Sequence, residues 1–128
     1  MGTKEIGDKG ESFAARLYEK SGFTVIARNY HSRYGEIDLI AESADTLCFV
    51  EVKTRRQTSF GNPAEAVDSR KRKKLTLTAM KYLSENECFK QPRFDVVEVW
   101  QQDGKIISYN LIENAFYAED FGGQYEIF

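Results

Sequence analysis

The stretch GEIDLIAESADTLCFVEVKTR, residues 35–55, decides the fold of this chain. Two apolar runs, residues 36–41 and 47–53, have the composition of β-strands, and the polar residues 42–46 between them are typical of a turn. The sequence therefore predicts a β-hairpin in the first half of the chain.

The register of this hairpin follows from the position of its turn. A turn centred between residues 44 and 45 places Asp38 opposite Glu51 and Glu36 opposite Lys53. Side chains two residues apart on a strand share a face, so all four side chains project from the same side of the hairpin. We therefore expect three acids and one lysine to crowd one patch of otherwise apolar strands.

Like charges that face each other on paired strands are destabilising, so this patch needs a compensating partner. One candidate is Mg²⁺ or Mn²⁺, which carboxylate oxygens suit. Such an ion would polarise a phosphate and activate a water, while Lys53 stabilises the developing charge. The alternative is a structural ion-pair ladder, in which Glu36 pairs with Lys53 and Asp38 is capped by backbone or solvent.

Residues 35–40 (GEIDLI) and 49–55 (FVEVKTR) resemble the D…E-x-K signature of the restriction-endonuclease-like nuclease superfamily. The chain is similar to the archaeal Holliday junction resolvases and to the YraN-like family of uncharacterised bacterial proteins, the latter from Gly10-Glu11 to residues 93–96 (RFDV). The resemblance implies an α/β restriction-endonuclease-like core in the order helix, three strands, helix, two strands, with a mixed central sheet flanked by helices. It also implies a Mg²⁺- or Mn²⁺-dependent nuclease-like phosphodiesterase that acts on DNA, with branched or flap structures as candidate substrates.

The same resemblance assigns roles to residues. Asp38 and Glu51 become metal ligands, with help from the main-chain carbonyl of Val52 and from Glu11 of a Gly-Glu pair on the first helix. Lys53 would orient the attacking water and stabilise the pentacovalent charge. Without the resemblance, Glu11 is simply an acid in the first turn of a helix, where it interacts favourably with the helix dipole.

The basic residues are concentrated in one part of the chain. The net charge of −2 gives no argument for nucleic-acid binding, but residues 70–74 are five consecutive basic residues, whereas residues 111–128 contain no lysine or arginine. A charge run on a helix is often only a solvated face; the alternative is contact with phosphates. The residues predicted to bind nucleic acid are Arg55, Arg56, Arg70, Lys71, Lys73 and Lys74. By resemblance, Lys73 is the residue of the second helix expected to approach the active site.

Composition excludes several classes of protein. The length of 128 residues, with 41% hydrophobic and 30% charged residues, predicts a single soluble domain over residues 1–128. No apolar run has the length of a signal peptide or a membrane span. Cys48, Cys88 and His31 form no ligand cluster, which disfavours a zinc site or a disulfide framework. We therefore expect a reduced, cytoplasmic protein without a membrane partner.

Outside the hairpin, the sequence predicts a loose start over residues 1–6, a first helix from a cap at Asp8 to Ser21-Gly22, and a second helix from Pro63, capped by Asn62, to Leu83. Strands are predicted at residues 23–30, 93–100 and 105–111, followed by a short helix over 113–120 and an aromatic tail over 121–128. Asp95 is predicted to be structural and to pair with Arg93.

Two other functions are compatible with this pattern. The chain could be a nucleic-acid-binding module that keeps the nuclease fold without catalysis, since fold does not imply function. It could also be a protein-interaction subunit whose acidic patch is structural. The resolvase resemblance implies a homodimer, because two symmetric cuts need two sites.

Overall fold

The computed structural model describes residues 3–56 and 68–117, apart from the side chains of residues 3–7 and 56. Its elements are α1 (Thr3–Lys20), β1 (Thr24–Ser32), β2 (Gly35–Glu42), β3 (Thr46–Arg56), α2 (Ser69–Glu85), β4 (Gln91–Gln102) and β5 (Lys105–Phe116). The order helix, three strands, helix, two strands confirms the predicted α/β restriction-endonuclease-like core. Within the described ranges, no helix is both long enough and apolar enough to cross a membrane.

All five strands form one mixed sheet in the order β1-β2-β3-β4-β5. Only β3 and β4 are parallel, and α2 lies in the connection between them, as a parallel pair requires. β2 and β3 pair antiparallel from Leu39–Val50 to Glu42–Leu47, which confirms the predicted register over these residues. The ladder ends there, so the predicted pairs Asp38–Glu51 and Glu36–Lys53 are not part of it.

The sheet has a helix on each face because its central strands alternate between two apolar surfaces. On β3, Cys48 and Val50 belong to the cluster under α1, whereas Leu47 and Phe49 belong to the cluster under α2. Burial of both faces makes the middle of this strand continuously apolar, and a fully buried Val or Phe contributes about 1.5–3 kcal/mol. The sheet and both helices are thereby held together.

The first helix differs from its predicted start. It begins at Thr3, so the expected loose start is wrong over residues 3–6, and the cap at Asp8 is wrong. Residues 1–2 lie outside the description. The end of this helix is confirmed: Gly22 takes a left-handed φ of +90°, and the Gly22 N–H donates to the carbonyl of Glu19.

The second helix begins at Ser69. Asp68 has an extended backbone, and its carboxylate accepts a hydrogen bond of 2.9 Å from the N–H of Lys71. The prediction that one helix runs through Asp68 is therefore wrong. The predicted start at Pro63, with its cap at Asn62, lies outside the described residues. At the other end of the chain, β5 continues to Phe116, so the predicted helix is wrong over residues 113–116; residues 118–128 lie outside the description.

Asp95 is buried on the α1 side of the sheet, within a complete set of donors. Arg93 donates to both of its oxygens at 2.9 Å, the Tyr18 hydroxyl donates at 2.6 Å, and the N–H of Asn114 donates at 3.1 Å. The prediction that Asp95 pairs with Arg93 in a structural role is confirmed.

Candidate active site at the end of the hairpin

An acidic pocket of about 270 Å³ opens where the β2–β3 ladder ends. Beyond the last strand pair, Leu39 and Val50, the Val52 N–H donates to Asp38 Oδ2 at 2.7 Å. The residues lining the pocket are Gly35, Glu36, Asp38, Glu51, Lys71, Lys74 and Leu75. The structure thus brings together three of the acids that the sequence placed on one face.

The surroundings of Asp38 disfavour the charged form of its carboxyl group. Burial, together with the charges of Glu51, Glu11 and Glu36, raises its pKa to about 7, although the hydrogen bond from the Val52 N–H partly opposes this shift. A bound proton or a nearby cation would therefore stabilise the Asp38 carboxyl group near neutral pH.

Glu51 is neutralised by α2 rather than by its own hairpin. Lys71 Nζ lies 2.8 Å from Glu51 Oε1, and the side chain of Glu51 is only 8% exposed. Burial lowers the pKa of Lys71, but the hydrogen bond to Glu51 and the charges of Glu51 and Asp38 outweigh it and raise the pKa. An ammonium group on the second helix is therefore the counter-ion of the acidic pocket.

The basic run of α2 is divided by helical geometry. Lys71 and Lys74 line the pocket, whereas Arg70 and Lys73 are exposed and do not. Arg72 lies with its guanidinium carbon 5.8 Å from the centre of the Phe116 ring. Lys71, not Lys73, is the α2 residue that reaches the site.

Glu11 joins the acids from the first helix. Burial raises its pKa, a hydrogen bond with the Asn29 side chain opposes this, and the charges of Asp8 and Glu36 raise it further. The helix approaches the sheet closely because Gly10 has no side chain: a Cβ there would lie 2.5 Å from Thr54 Oγ1. The Gly-Glu pair noted in the sequence therefore combines a close helix contact with an acid beside the pocket.

Lys53 is half-buried on β3, where its register partner on β4 is Glu98, and it does not line the pocket. Glu36 Oε2 instead lies 3.6 Å from His31 Nδ1. Among the described side chains, no ion pair joins Glu36 to Lys53, so the predicted ion-pair ladder is absent.

The side chain of Arg55 is 17% exposed and pairs with a buried acid. Its Nε donates to Glu98 Oε2 at 2.7 Å, and the side chain of Glu98 is completely buried. Because loss of one member of a buried pair leaves the other charge unpaired, this contact stabilises the fold where phosphate binding was predicted. The side chain of Arg56 lies outside the description.

The ion pair between Lys71 and Glu51 was not predicted from the sequence. The signal that could have found it is the cap at Asp68, because a fixed helix start sets which residues face the sheet. Lys71, Lys74 and Thr78 then recur at helical spacing on one side of α2.

The donors of the pocket fit a hard divalent cation, although within the described parts of the chain no three His, Cys, Asp or Glu side chains converge as a ready metal site. All of the acidic donors are oxygen atoms, and the repulsion that raises the pKa of Asp38 is what a cation would relieve. Magnesium keeps several waters and needs only one or two carboxylates from a protein. Asp38 and Glu51 supply those two.

Residues 10–99, which include all of these acids, match the model of the uncharacterised protein family UPF0102. This chain belongs to that family. A UPF0102 protein of Syntrophomonas wolfei is 47% identical over 114 residues, covering 88% of this chain and 98% of the relative. UPF0102 proteins of Dictyoglomus thermophilum (43% over 118 residues; 91% and 100% covered) and Nocardia farcinica (47% over 106 residues; 81% and 84% covered) are also similar.

Membership agrees with the resemblance to an uncharacterised bacterial family over nearly the same residues. The family description names no activity, so the function of this UPF0102 protein has to be argued from its site.

Proposed function

We propose that this UPF0102 protein is a cytoplasmic, Mg²⁺- or Mn²⁺-dependent phosphodiesterase that cleaves DNA, with branched or flap structures as the candidate substrates. The observation that carries the proposal is the pair Asp38 and Glu51 in an open pocket, with the pKa of Asp38 raised to about 7 by burial and by neighbouring acids. Perturbed acids in a cleft are typical of functional sites.

The acids would hold the cation. One oxygen of Asp38 is fixed by the Val52 N–H, which leaves the other for a ligand, and Glu51 faces the same pocket. The Val52 carbonyl and Glu11 are the further candidate ligands. When bound, the ion would supply Lewis-acid polarisation of a phosphate and a more acidic water.

The lysines and arginines would act on the substrate. Lys53 does not line the pocket but lies two residues from Glu51 on β3, and it would have to reach toward the pocket to orient the attacking water and stabilise negative charge on the phosphate as it reacts. Lys71 and Lys74 stand at the pocket itself, and the exposed Arg70 and Lys73 lie on the same helix. Contacts of this kind position a strand without reading its sequence.

A cleavage assay tests the proposal. The parent protein and the Asp38→Ala and Lys53→Ala variants would be incubated with Mg²⁺ or Mn²⁺ on four-way junction, flap, single-stranded and duplex DNA. We expect metal-dependent cutting by the parent, none by either variant, and parental activity in Glu87→Ala, which removes an exposed acid between α2 and β4. Cutting retained in Asp38→Ala would overturn the assignment of the site.

One observation favours the second candidate, a nucleic-acid-binding module without catalysis. The ion pair between Lys71 and Glu51 neutralises one of the two acids without any metal. If this candidate is right, calorimetric titration with metal should show no heat. The protein should still bind DNA but should cut none of the four substrates.

Paired cuts in a branched substrate require two sites, so we also propose that the active form is a homodimer. The aromatic tail over residues 121–128, which could contribute to an interface, lies outside the described residues. Sedimentation equilibrium of the parent protein tests this proposal, and a single monomeric species at micromolar concentration would contradict it.

A further inference from the structure

Three lysines and a threonine form a stripe along one side of α2, which we call the α2 stripe: Lys71, Lys74, Thr78 and Lys81. Their spacings of three, four and three residues keep them on one face of a helix. The first two line the acidic pocket, and Lys81 lines a second pocket of about 380 Å³ together with Ser32, Arg33 and Tyr34.

The two pockets are held in a fixed relation by the β1–β2 turn. The Tyr34 N–H donates to Ser32 Oγ at 3.0 Å, and Ser32 Oγ lies 2.9 Å from Thr78 Oγ1. The Thr78 hydroxyl donates to the carbonyl of Lys74 at 2.8 Å, so it accepts from Ser32. This chain of hydrogen bonds fastens the turn to the middle of the α2 stripe, between the two pockets.

The second pocket has the chemistry of a nucleotide site. The guanidinium carbon of Arg33 lies 4.9 Å from the centre of the Tyr34 ring, and Arg33 Nη2 donates to the Tyr34 hydroxyl at 2.7 Å. Lys81 Nζ lies 3.1 Å from Glu85 Oε2, and the side chain of Lys81 is half exposed. Two cations suit a phosphate, and a tyrosine suits the face of a base.

We propose that the pocket of Ser32, Arg33, Tyr34 and Lys81 binds one nucleotide of an unpaired DNA strand while a phosphate about three nucleotides away on the same strand lies in the acidic pocket. The proposal rests on the proposed function for the identity of that strand. The seven residues from Lys74 to Lys81 span about 10 Å of helix. At about 3.4 Å per nucleotide of a stacked strand, this distance corresponds to about three nucleotides.

The preference for an unpaired strand follows from Tyr34. An aromatic side chain can stack only on a base whose face is free, and bases inside a duplex have both faces covered by their neighbours. A strand that leaves the acidic pocket along the α2 stripe would meet Tyr34 only where it is single-stranded.

Fluorescence anisotropy of end-labelled oligothymidylates in EDTA, where metal-dependent cutting is absent, tests the subsite. On a twelve-nucleotide strand, we expect Arg33→Gln and Lys81→Gln to raise the Kd on the order of tenfold and threefold, because each removes a charge-assisted contact. Each should also reduce the slope of log Kd against log salt by about 0.7. Tyr34→Leu should weaken binding and Tyr34→Phe should restore it.

The matched control is Lys105→Gln, which removes one exposed positive charge at the start of β5. It should stay within twofold of the parent. A dinucleotide cannot reach from one pocket to the other, so the parent should bind it more weakly than it binds the twelve-nucleotide strand. An effect of Lys105→Gln as large as that of Lys81→Gln, or no binding of any oligothymidylate, would overturn the subsite.

The cleavage assay separates this proposal from the proposed function. Oligonucleotide binding that depends on Arg33, Tyr34 and Lys81 without any cutting would keep the subsite and remove the nuclease. Cutting that proceeds equally in the Arg33→Gln, Lys81→Gln and Lys105→Gln proteins would keep the nuclease and remove the subsite.

Discussion

Two aspartates on the same sheet, Asp95 buried and Asp38 half-buried, are treated in opposite ways. Asp95 lies on the α1 side and receives four hydrogen bonds, from Arg93, Tyr18 and Asn114. Asp38 lies at the edge of the acidic pocket, receives one hydrogen bond from Val52 N–H, and is surrounded by Glu51, Glu11 and Glu36.

The difference shows that burial alone does not distinguish a functional acid from a structural one. Around Asp95 the protein offsets the desolvation of a charge with donors: the hydrogen bond to Asp95 raises the pKa of Arg93, and burial together with the Asp95 charge raises the pKa of Tyr18. Around Asp38 the neighbours are further acids, which stabilise only a proton or a cation at that position. The neighbours of a buried acid therefore indicate its role.

The largest expected effect is on stability. Asp95→Asn leaves Arg93 with only the exposed Glu113, 3.8 Å away, as a charged partner and should lower the free energy of unfolding by about 3–5 kcal/mol. Asp38→Asn keeps an acceptor for the Val52 N–H and removes the repulsion, so it should raise that free energy, by on the order of 2–4 kcal/mol at pH 7. Urea unfolding at pH 7 in EDTA measures both, and equal losses would end the distinction between the two sites.

The second prediction concerns pH. Asp38 has its ordinary pKa near 3.8 when unfolded and about 7 when folded, so the folded state binds more protons between these values. Stability therefore falls as pH rises from about 4 through about 7, by on the order of 2–4 kcal/mol in the absence of metal. Urea unfolding at pH 5, 6, 7 and 8 should show this loss in the parent and not in Asp38→Asn; the same slope in both proteins would assign it to other groups.

Bound Mn²⁺ should restore part of the stability that the parent protein loses as the pH rises. At pH 8, Mn²⁺ at a hundred times its Kd should stabilise the parent by about 2.7 kcal/mol, because it binds the folded state. The gain should be smaller at pH 5, where a proton competes for Asp38, and absent in Asp38→Asn. Thermal melts with and without Mn²⁺ test this, and stabilisation of Asp38→Asn to the same degree would place the ion elsewhere.

The smallest expected effect is the change in affinity for Mn²⁺ when Lys71, the counter-ion of the acidic pocket, is replaced. Lys71→Gln frees Glu51 and removes a nearby positive charge, so the affinity for Mn²⁺ should rise severalfold, or about 1 kcal/mol. Lys73→Gln makes the same charge change on the same helix outside the pocket and should raise the affinity less. Calorimetric titration compares the two, and equal affinities would show that the Lys71 contact does not compete with the ion.

The sequence predicted the hairpin well because two kinds of information agreed there. The apolar runs set the strands, and the polar turn set the register, so the pairing from Leu39–Val50 to Glu42–Leu47 and the placement of Asp38 and Glu51 just beyond it follow from the order of the residues alone. The hydrogen bond from Val52 to the Asp38 side chain does not follow from it, because this bond forms only where the ladder ends.

Contacts between distant elements were beyond the sequence pattern. Five basic residues in a row point in all directions around a helix, so the pairing of Lys71 with Glu51 depends on where α2 begins and how it packs. Arg55 finds its partner, Glu98, 43 positions along the chain and across a parallel strand pair. Local periodicity carries no information about such partners.

Because Gly10 lies close to β3 but does not line the acidic pocket, a substitution there can change the geometry around the pocket. Alanine there would place a methyl group 2.5 Å from Thr54 Oγ1, so either the Thr54 hydroxyl rotates away or α1 moves from β3 and takes Glu11 with it. In the second case the number of charges stays the same while the spacing between carboxylates changes. Gly10→Ala therefore offers a way to change the geometry around the acidic pocket without altering any acid.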